Sequence, residues 1–214
     1  MRIAIIAEGA EDQAVISNIL RAFGVDKSDI LCFKPYLGQD ANSAGFPDNS
    51  TIGTFKGVKN ACVGYEGRRH YFERAFGIAD VDFVVVHLDT AEIENHETNF
   101  QKPTKANNPS YCTELRSSMI KLINDWLGSQ YENQILYAIA IEEIEAWCLT
   151  IFEKTDSTQS ANPKGKLNLL INKMNMKYDF EEISKDFRKQ KKLATYLPYN
   201  QSLADFVNSI ITKL

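Results

Sequence analysis

Short stretches of consecutive apolar residues predict four β-strands in this chain. The stretches fall at residues 3–7, 29–34, 81–88 and 135–141 and are rich in isoleucine, valine and alanine. Consecutive apolar residues over so short a length are typical of strands that are buried on both faces, as they are in a parallel sheet. We therefore expect a central sheet whose strands run mainly in one direction.

Apolar residues at helical spacing predict helices between these strands. The spacing holds over residues 15–23, 58–76 and 114–127, and a further helix is expected to follow the last strand directly and to end near residue 152. Strands that alternate with helices are typical of α/β proteins. The predicted fold class is therefore α/β, with a mainly parallel central sheet and helices on both faces.

The distribution of polar residues divides the chain into regions. Residues 35–57 and 91–110 are rich in glycine, asparagine, proline and charged residues, and we expect them to form long loops. Residues 154–163 have the composition of a connecting segment. We predict an α/β domain at residues 1–153 and a helical C-terminal region at residues 164–214 that packs on it as an appendage.

Composition and charge limit the functions that we expect. The chain has 214 residues, and its formal net charge of -4 argues against a protein that coats nucleic acid, although not against a nuclease. The four cysteines form no CxxC pair, and three histidines are too few for a His-rich zinc site. Because no signal peptide or long apolar run is present, we expect a cytoplasmic location. No P-loop is present, so we do not expect this chain to bind ATP.

Acidic residues follow three of the predicted strands. Glu8 follows the first strand, Asp89 follows the third, and the last is followed by Glu142, Glu143 and Glu145. The carboxyl ends of parallel strands share one edge of the sheet, and ligands bind in the crevice outside that edge. Because acidic groups that gather at one edge repel each other, we expect a divalent cation, Mg²⁺ or Mn²⁺, between them.

Several polar residues near this edge also have a simpler structural explanation. Glu8 precedes a helix, so it either binds a metal or favours the positive end of the helix dipole. Glu11 and Asp12 lie in the first turn of that helix, where the dipole explanation is stronger. His87 lies within a strand and is interpreted as a core histidine whose hydrogen bonds are satisfied.

The acids that follow Asp89 and the last strand have two interpretations each. An acid directly after an apolar strand is hard to explain by packing, which makes Asp89 the strongest candidate ligand. Glu92 and Glu94 follow it on a loop, where they either complete the metal site or are solvated. Glu142 and Glu145 lie three positions apart and share a helix face, so either is placed to reach the edge.

A basic run near the C-terminus is the candidate contact for a nucleic acid. Such a run either binds phosphates or forms a solvated helix face, which is the commoner case. The candidate nucleic-acid-binding residues are Lys185, Arg188, Lys189 and Lys192.

Two of the strand ends resemble the TOPRIM fold, which topoisomerases, DnaG primases, OLD-type nucleases and RecR proteins share. The TOPRIM motifs are a glutamate after the first strand and an Asp-x-Asp after a later strand. Glu8, followed by Gly9, resembles the first motif, and Asp89 resembles the first aspartate of the second. In TOPRIM proteins these residues bind magnesium for phosphodiester chemistry.

Three further segments resemble small TOPRIM-like proteins related to RloB. Residues 144–149 are similar to the Glu-Ala-Trp-Leu-Leu segment of those proteins. Asn162-Pro163-Lys164 is similar to their later Asn-Pro and Lys segment, and residues 202–206 are similar to their closing Ser-x-x-x-Phe helix. The resemblance touches most of the chain, and its specificity comes from the order of the motifs.

The chain departs from the TOPRIM pattern at one position. Ala91 occupies the place of the second aspartate of Asp-x-Asp. The resemblance implies that Glu92 or Glu94 substitutes for that aspartate, or that Glu145 supplies the missing carboxylate. If none of them does, the metal site lacks one ligand.

The resemblance implies a divalent-metal-dependent nuclease that acts on DNA or RNA in prokaryotic defence or mobile-element biology, beside a partner ATPase. It gives Glu8 the role of base or metal-orienting ligand, Asp89 that of principal ligand, and Glu145 that of a further catalytic carboxylate. The main alternative is a non-catalytic binding or regulatory subunit of an ATPase complex, which Ala91 and the acidic charge favour. A phosphotransfer or nucleotide-hydrolysing enzyme is a third interpretation.

Overall fold

A central sheet of four strands organises the protein. The computed structural model describes residues 1–35 and 54–214, so most of the predicted loop at residues 35–57 lies outside the described residues. The strands are β1 (Ile3–Ile6), β2 (Ile30–Lys34), β3 (Phe83–Asp89) and β4 (Ile135–Ala140).

All four strands run parallel, in the order β2-β1-β3-β4. In the register, Ile3 of β1 pairs with Phe83 of β3, and Asp89 at the end of β3 pairs with Ala140 of β4. The carboxyl ends of the strands therefore share one edge. This confirms the predicted α/β class with a parallel central sheet.

Helices surround the sheet, and within the described residues none has both the length and the apolar character needed to span a membrane. Short 3₁₀ turns connect several of them, and a π-helical turn, Arg69–Glu73, joins α3 to α4. The α-helices are α1 (Ala10–Ala22), α2 (Phe55–Cys62), α3 (Gly64–Arg68), α4 (Arg74–Gly77), α5 (Ile93–His96), α6 (Tyr111–Leu127), α7 (Glu145–Phe152), α8 (Pro163–Lys173), α9 (Phe180–Ile183), α10 (Gln190–Tyr196) and α11 (Gln201–Lys213).

Each face of the sheet is covered by its own hydrophobic core. Side chains alternate between the two faces of a strand, so Ile3 and Ile5 enter one core and Ala4 and Ile6 enter the other. The first core contains α1, α7 and the C-terminal helices, and the second contains α2 and α6. Because β1 is buried on both faces, its sequence is continuously apolar.

The C-terminal region is helical, and it packs on the sheet through α7 and α11. The fully buried ring of Trp147 on α7 stacks on Phe206 of α11 with 5.6 Å between ring centroids. The indole Nε1 of Trp147 also donates a 2.8 Å hydrogen bond to the hydroxyl of Ser202. These contacts attach α11 to the helix that follows β4, and separate packing of α8 on α7 brings the start of α8 near the carboxyl edge.

Three predicted boundaries were wrong. The helix predicted at residues 58–76 is broken after Cys62, because Val63 is extended and Gly64 has a positive φ of 76°. The loop predicted at residues 91–110 contains the short helix α5. Helix α7 does not follow β4 directly, because Glu142 has a φ of 64°, which interrupts the chain before the helix begins.

Candidate metal centre at the carboxyl edge of the sheet

The two acids predicted from the strand ends lie side by side. Strands β1 and β3 are neighbours, so Glu8 and Asp89 leave the sheet at the same edge. The backbone N–H of Asp89 donates a 2.8 Å hydrogen bond to Oε1 of Glu8. This bond fixes the Glu8 carboxylate against the end of β3.

His87 brings a nitrogen atom to the same place. It lies two residues before Asp89 on β3, so the two side chains project from the same face of the strand. The imidazole is fully buried, and its Nε2 lies 3.3 Å from Oδ1 of Asp89 and 3.6 Å from Oδ2 of Asp12. Its other nitrogen, Nδ1, lies 2.7 Å from the carbonyl oxygen of Ala138 on β4.

Asp12 reaches the site from the first turn of α1. Its Oδ2 accepts a 2.7 Å hydrogen bond from the backbone N–H of Gly9, so the side chain caps the N-terminus of the helix. The residue is buried, as is the His87 ring that it faces. A capping carboxylate is normally solvated, and the burial of this one against an imidazole indicates a second role.

Burial and mutual repulsion raise the pKa values of the three carboxylates. Burial and the charge of Asp89 raise the pKa of Glu8 to about 7. Burial is also the main cause that raises the pKa of Asp89 to about 7, although the neighbouring His87 opposes it, and burial raises the pKa of Asp12. For His87, burial alone would lower the pKa, but the three acids outweigh it and raise the pKa to about 9.

Two buried atoms at the centre of this cluster lack hydrogen-bond partners. Nε2 of His87 and Oδ1 of Asp89 lie 3.3 Å apart but do not meet the geometry of a hydrogen bond, and neither atom has another hydrogen-bond partner among the described residues. Buried polar atoms are normally paired, so this nitrogen and this oxygen indicate that a cation or a proton lies between them. One ligand atom from each of Asp12, His87 and Asp89 lies within 4.8 Å of the others, which is close enough for one metal ion. The residues present therefore fit a divalent metal.

The cluster opens into a cavity of about 370 Å³. Its lining includes the ends of β1 and β3, the turn after β4 and part of the C-terminal region, so four of the five predicted strand-end acids meet here and Glu142 does not. The acids that line the cavity are Glu8, Glu11, Asp12, Asp89, Glu143 and Glu145.

A lysine and several rings complete the lining. Lys164, on the first turn of α8, places its Nζ 3.9 Å from Oε1 of Glu145. Tyr178 and Phe180 form one aromatic wall with their rings edge to face. On the other side, His96 stacks on Phe55 with 4.8 Å between ring centroids. The cavity thus combines acids, one lysine and exposed aromatic surface.

The acids predicted on the loop after β3 differ in position. Glu92 lines a second cavity, of about 250 Å³, together with Glu8, Asp89 and Ala91. Glu94 lines neither cavity and lies near the backbone N–H of Lys102 instead. Of the two candidates for the missing second aspartate, the structure brings only Glu92 next to the cluster.

Glu142 and Glu145 have separate roles. The carboxylate of Glu142 accepts a 2.7 Å hydrogen bond from Lys105 Nζ and lies outside both cavities. Its backbone carbonyl accepts hydrogen bonds from the N–H groups of Thr90 and Ala91, so this residue holds the turn after β4 against the turn after β3. Glu145, by contrast, is buried in the cavity wall, and burial raises its pKa.

The basic run lies apart from the cavity and has acidic partners of its own. None of its four predicted residues lines either cavity. Lys185 pairs with Glu182, and Lys192 pairs with Asp186. Arg188 is half-buried and donates a 2.6 Å hydrogen bond to Oδ1 of Asn18 on α1. A role of this run in nucleic-acid binding stays a prediction, and Arg188 has a structural role in addition.

The sequence interpretation missed Asp12, His87 and Lys164. His87 carried a usable signal, because a residue two positions before a strand-end acid faces the same side of the sheet. Asp12 was interpreted as an acid that favours the helix dipole. That interpretation fits its hydrogen bond with Gly9 at the start of the helix, but it does not predict its contact with His87. Lys164 was noted only as part of the Asn-Pro-Lys resemblance and was given no role at the site, because it reaches the edge through packing between α7 and α8.

Comparison with known proteins gives no assignment for this site. The chain matches no protein-family model, no curated protein and no solved structure. Any functional assignment therefore depends on the geometry of the edge itself.

Proposed function

We propose that this protein is a divalent-metal-dependent nuclease that cleaves phosphodiester bonds at the carboxyl edge of its sheet. One observation carries the proposal: Asp12 and Asp89 lie 3.6 Å and 3.3 Å from a buried nitrogen of His87 that makes no hydrogen bond with a described residue. Both acids line the cavity together with Glu8. Neighbouring carboxylates repel each other when they are ionised, and a bound cation removes this repulsion. The resemblance to TOPRIM nucleases, which rests on Glu8 and Asp89, supports the same chemistry.

The metal would be held by Asp89 and Asp12, with Glu8 beside them, and would be Mg²⁺ or Mn²⁺. When bound, such an ion polarises a phosphodiester oxygen and offsets the negative charge that develops in the transition state. Glu92 and Glu145 line the cavities beside the cluster, where each could add a negative charge that balances the charge of the metal ion.

Glu8 is the best candidate for the general base. A base works best when its pKa lies near the working pH, and burial together with Asp89 raises the pKa of Glu8 to about 7. The hydrogen bond from the Asp89 N–H engages Oε1. The second carboxylate oxygen is thereby oriented to take a proton from an attacking water.

The rest of the lining suits a nucleotide. Lys164 is exposed at the cavity wall, where its ammonium group is placed to bind a phosphate of the strand. Tyr178 is 42% exposed and offers a ring on which a base can stack. Stacking on aromatic side chains and phosphate contacts from lysine are the usual means of binding single-stranded nucleic acid.

Cleavage assays with matched variants test the proposal. End-labelled single- and double-stranded DNA and RNA are incubated with the protein and Mg²⁺ or Mn²⁺, with and without a partner ATPase from its native context. We expect cleavage by the wild type and by Glu94→Gln, whose side chain lies outside the cavity, and none by Asp89→Asn or Glu8→Gln. A protein that binds metal and nucleic acid but cleaves no substrate in any of these mixtures is instead the non-catalytic subunit.

A further inference from the structure

The buried imidazole at the edge suggests which metal the site takes. His87 is one of only three histidines in the chain, and its ring is fully buried. A strictly oxygen-lined site would have no need of it. The orientation of its two nitrogens decides what it can bind.

A backbone carbonyl sets the tautomer of His87. Nδ1 lies 2.7 Å from the carbonyl oxygen of Ala138, and a carbonyl only accepts hydrogen bonds. Nδ1 therefore carries the proton in the neutral ring, and the lone pair of Nε2 points away from β4. A histidine that binds a metal through one nitrogen usually donates the N–H of its other nitrogen to a backbone carbonyl or a carboxylate, and His87 has this arrangement.

That lone pair faces two carboxylates. Nε2 lies 3.3 Å from Asp89 Oδ1 and 3.6 Å from Asp12 Oδ2, and it makes no hydrogen bond with a described residue. A lone pair directed at anionic oxygens is repelled unless a cation or a proton lies between them. Ligand atoms that share one ion at about 2.0–2.2 Å are roughly 3–3.5 Å apart, so the observed spacing accommodates an ion with little movement of Asp12.

We propose that His87 Nε2 is a direct metal ligand together with Asp12 and Asp89, and that the site therefore selects a transition-metal ion of the Mn²⁺ class over Mg²⁺. This inference rests on the metal dependence in the proposed function. Mg²⁺ prefers an all-oxygen octahedral shell and keeps much of its water. An imidazole nitrogen beside two carboxylates instead suits Mn²⁺ and the later first-row ions.

Pulsed electron paramagnetic resonance of the Mn²⁺-loaded protein tests the ligand directly. A nitrogen bound to Mn²⁺ couples to the electron spin, and labelling histidine with ¹⁵N changes the coupling in a known way. We expect a histidine nitrogen signal in the wild type, in His70→Asn and in His96→Asn, and its loss in His87→Asn. His96 lines the cavity and His70 lies on another part of the surface, so both are matched controls.

Competition titrations test the selectivity. We expect Mn²⁺ to displace Mg²⁺ from the wild type at least about tenfold more readily than from His87→Asn, since loss of even an indirect metal partner costs on the order of 10–100-fold in affinity. A Mn²⁺-loaded wild type without a histidine nitrogen signal overturns the inference whether or not the variant folds. In that case Nε2 carries a proton and is not a metal ligand.

The inference and the proposed function fail separately. A nitrogen signal without cleavage supports His87 as a ligand and removes the nuclease assignment. Cleavage supported by Mg²⁺ and Mn²⁺ alike, with no nitrogen signal, overturns the His87 inference and leaves the nuclease assignment in place.

Discussion

The backbone N–H of Asp89 donates a 2.8 Å hydrogen bond to the carboxylate of Glu8, and this bond ties the ends of β1 and β3 together at the edge of the sheet. It places two half-buried acids side by side, where each raises the cost of ionising the other. Acids held in this way are destabilising until a cation neutralises them. We therefore expect the free energy of unfolding to depend on the charge of these acids and on bound metal, which can be tested without an activity assay.

Neutralising Glu8 should stabilise the metal-free protein. The pKa of Glu8 is raised from 4.5 to about 7 by burial and by Asp89, so its ionised form is disfavoured in the folded state. We expect Glu8→Gln to increase the free energy of unfolding by on the order of 1–3 kcal/mol at pH 8 with a chelator present. Chemical denaturation measures this change.

The matched control for that experiment is Glu11→Gln. Glu11 is exposed and lines the same cavity, and exposed substitutions usually change stability by less than about 0.5 kcal/mol. Glu8→Gln should also reduce the stabilisation of the protein by Mn²⁺, because it removes a negative charge beside the ligands. A variant that is less stable than the wild type in chelator would contradict the repulsion that we describe.

The stability of the metal-free protein should fall as the pH rises. Glu8 and Asp89 have folded pKa values of about 7, above their ordinary values, so their contribution is present at low pH and is lost as the pH rises through about 7. The pKa of His87 is raised from 6.5 to about 9 in the folded protein. Its contribution to stability is therefore fully present below pH 6.5 and is lost as the pH rises through about 9. All three effects have the same sign.

Thermal melts between about pH 4 and pH 9 measure this dependence, because the carboxylates lose their contribution between their ordinary pKa values and about 7, and His87 loses its contribution between 6.5 and about 9. Metal binding requires ionised carboxylates and a deprotonated Nε2, so the rise in Tm on adding Mn²⁺ should grow over the same range. In Glu8→Gln the fall near pH 7 should be smaller. A Tm that is independent of pH in chelator would be incompatible with these pKa values.

Removing Lys164 should weaken substrate binding without affecting the metal. Its ammonium group lies in the cavity wall beside Glu145 and is placed for one phosphate contact. We expect Lys164→Ala to weaken oligonucleotide binding and to reduce the slope of log affinity against log salt by about 0.7–0.9, the value of one phosphate contact. Affinity for Mn²⁺ should be unchanged.

Lys166→Ala is the control for Lys164. It lies on the same helix, its Nζ binds the hydroxyl of Ser160, and it lines neither cavity. An equal loss of binding in both variants would mean that α8 acts through its overall charge and would remove Lys164 from the substrate site.

Glu92 and Glu94 should differ in their effect on cleavage. Glu92 shares a cavity with Glu8, Asp89 and Ala91, whereas Glu94 lines neither cavity. We expect Glu92→Gln to lower the rate of cleavage and the affinity for metal, and Glu94→Gln to change neither. Parallel rate and calorimetric measurements separate the two, and a larger effect of Glu94→Gln would reassign the missing second carboxylate.

The strands and the edge were predictable because their signal is local. The apolar runs before Glu8 and Asp89 are short and continuous, which is a consequence of burial on both faces of the sheet. An acid that ends such a run has no packing role, so its place at the edge follows from the direction of the strands. The group of residues that could hold a metal ion, Asp12, His87 and Asp89, shares one member, Asp89, with the predicted set.

The remaining parts of the site depend on packing between distant segments. Lys164 and Tyr178 reach the cavity because α8 packs on α7 and α9 packs on α1. Glu142 satisfied the same local pattern as Glu145, yet its positive φ turns it toward Lys105. Local sequence contains the strand and the acid, but the backbone conformation after the strand decides which acid enters the cavity.

Anomalous diffraction from crystals soaked in Mn²⁺ tests the central claim most directly. The account predicts a manganese peak at the carboxyl edge, within bonding distance of Asp89 and Asp12 and adjacent to Glu8, with His87 Nε2 in its coordination shell. The peak should be absent from crystals of Asp89→Asn. Crystals of the wild type that show no peak at this edge, or a peak only at other acidic residues, would contradict the metal centre and with it the proposed nuclease.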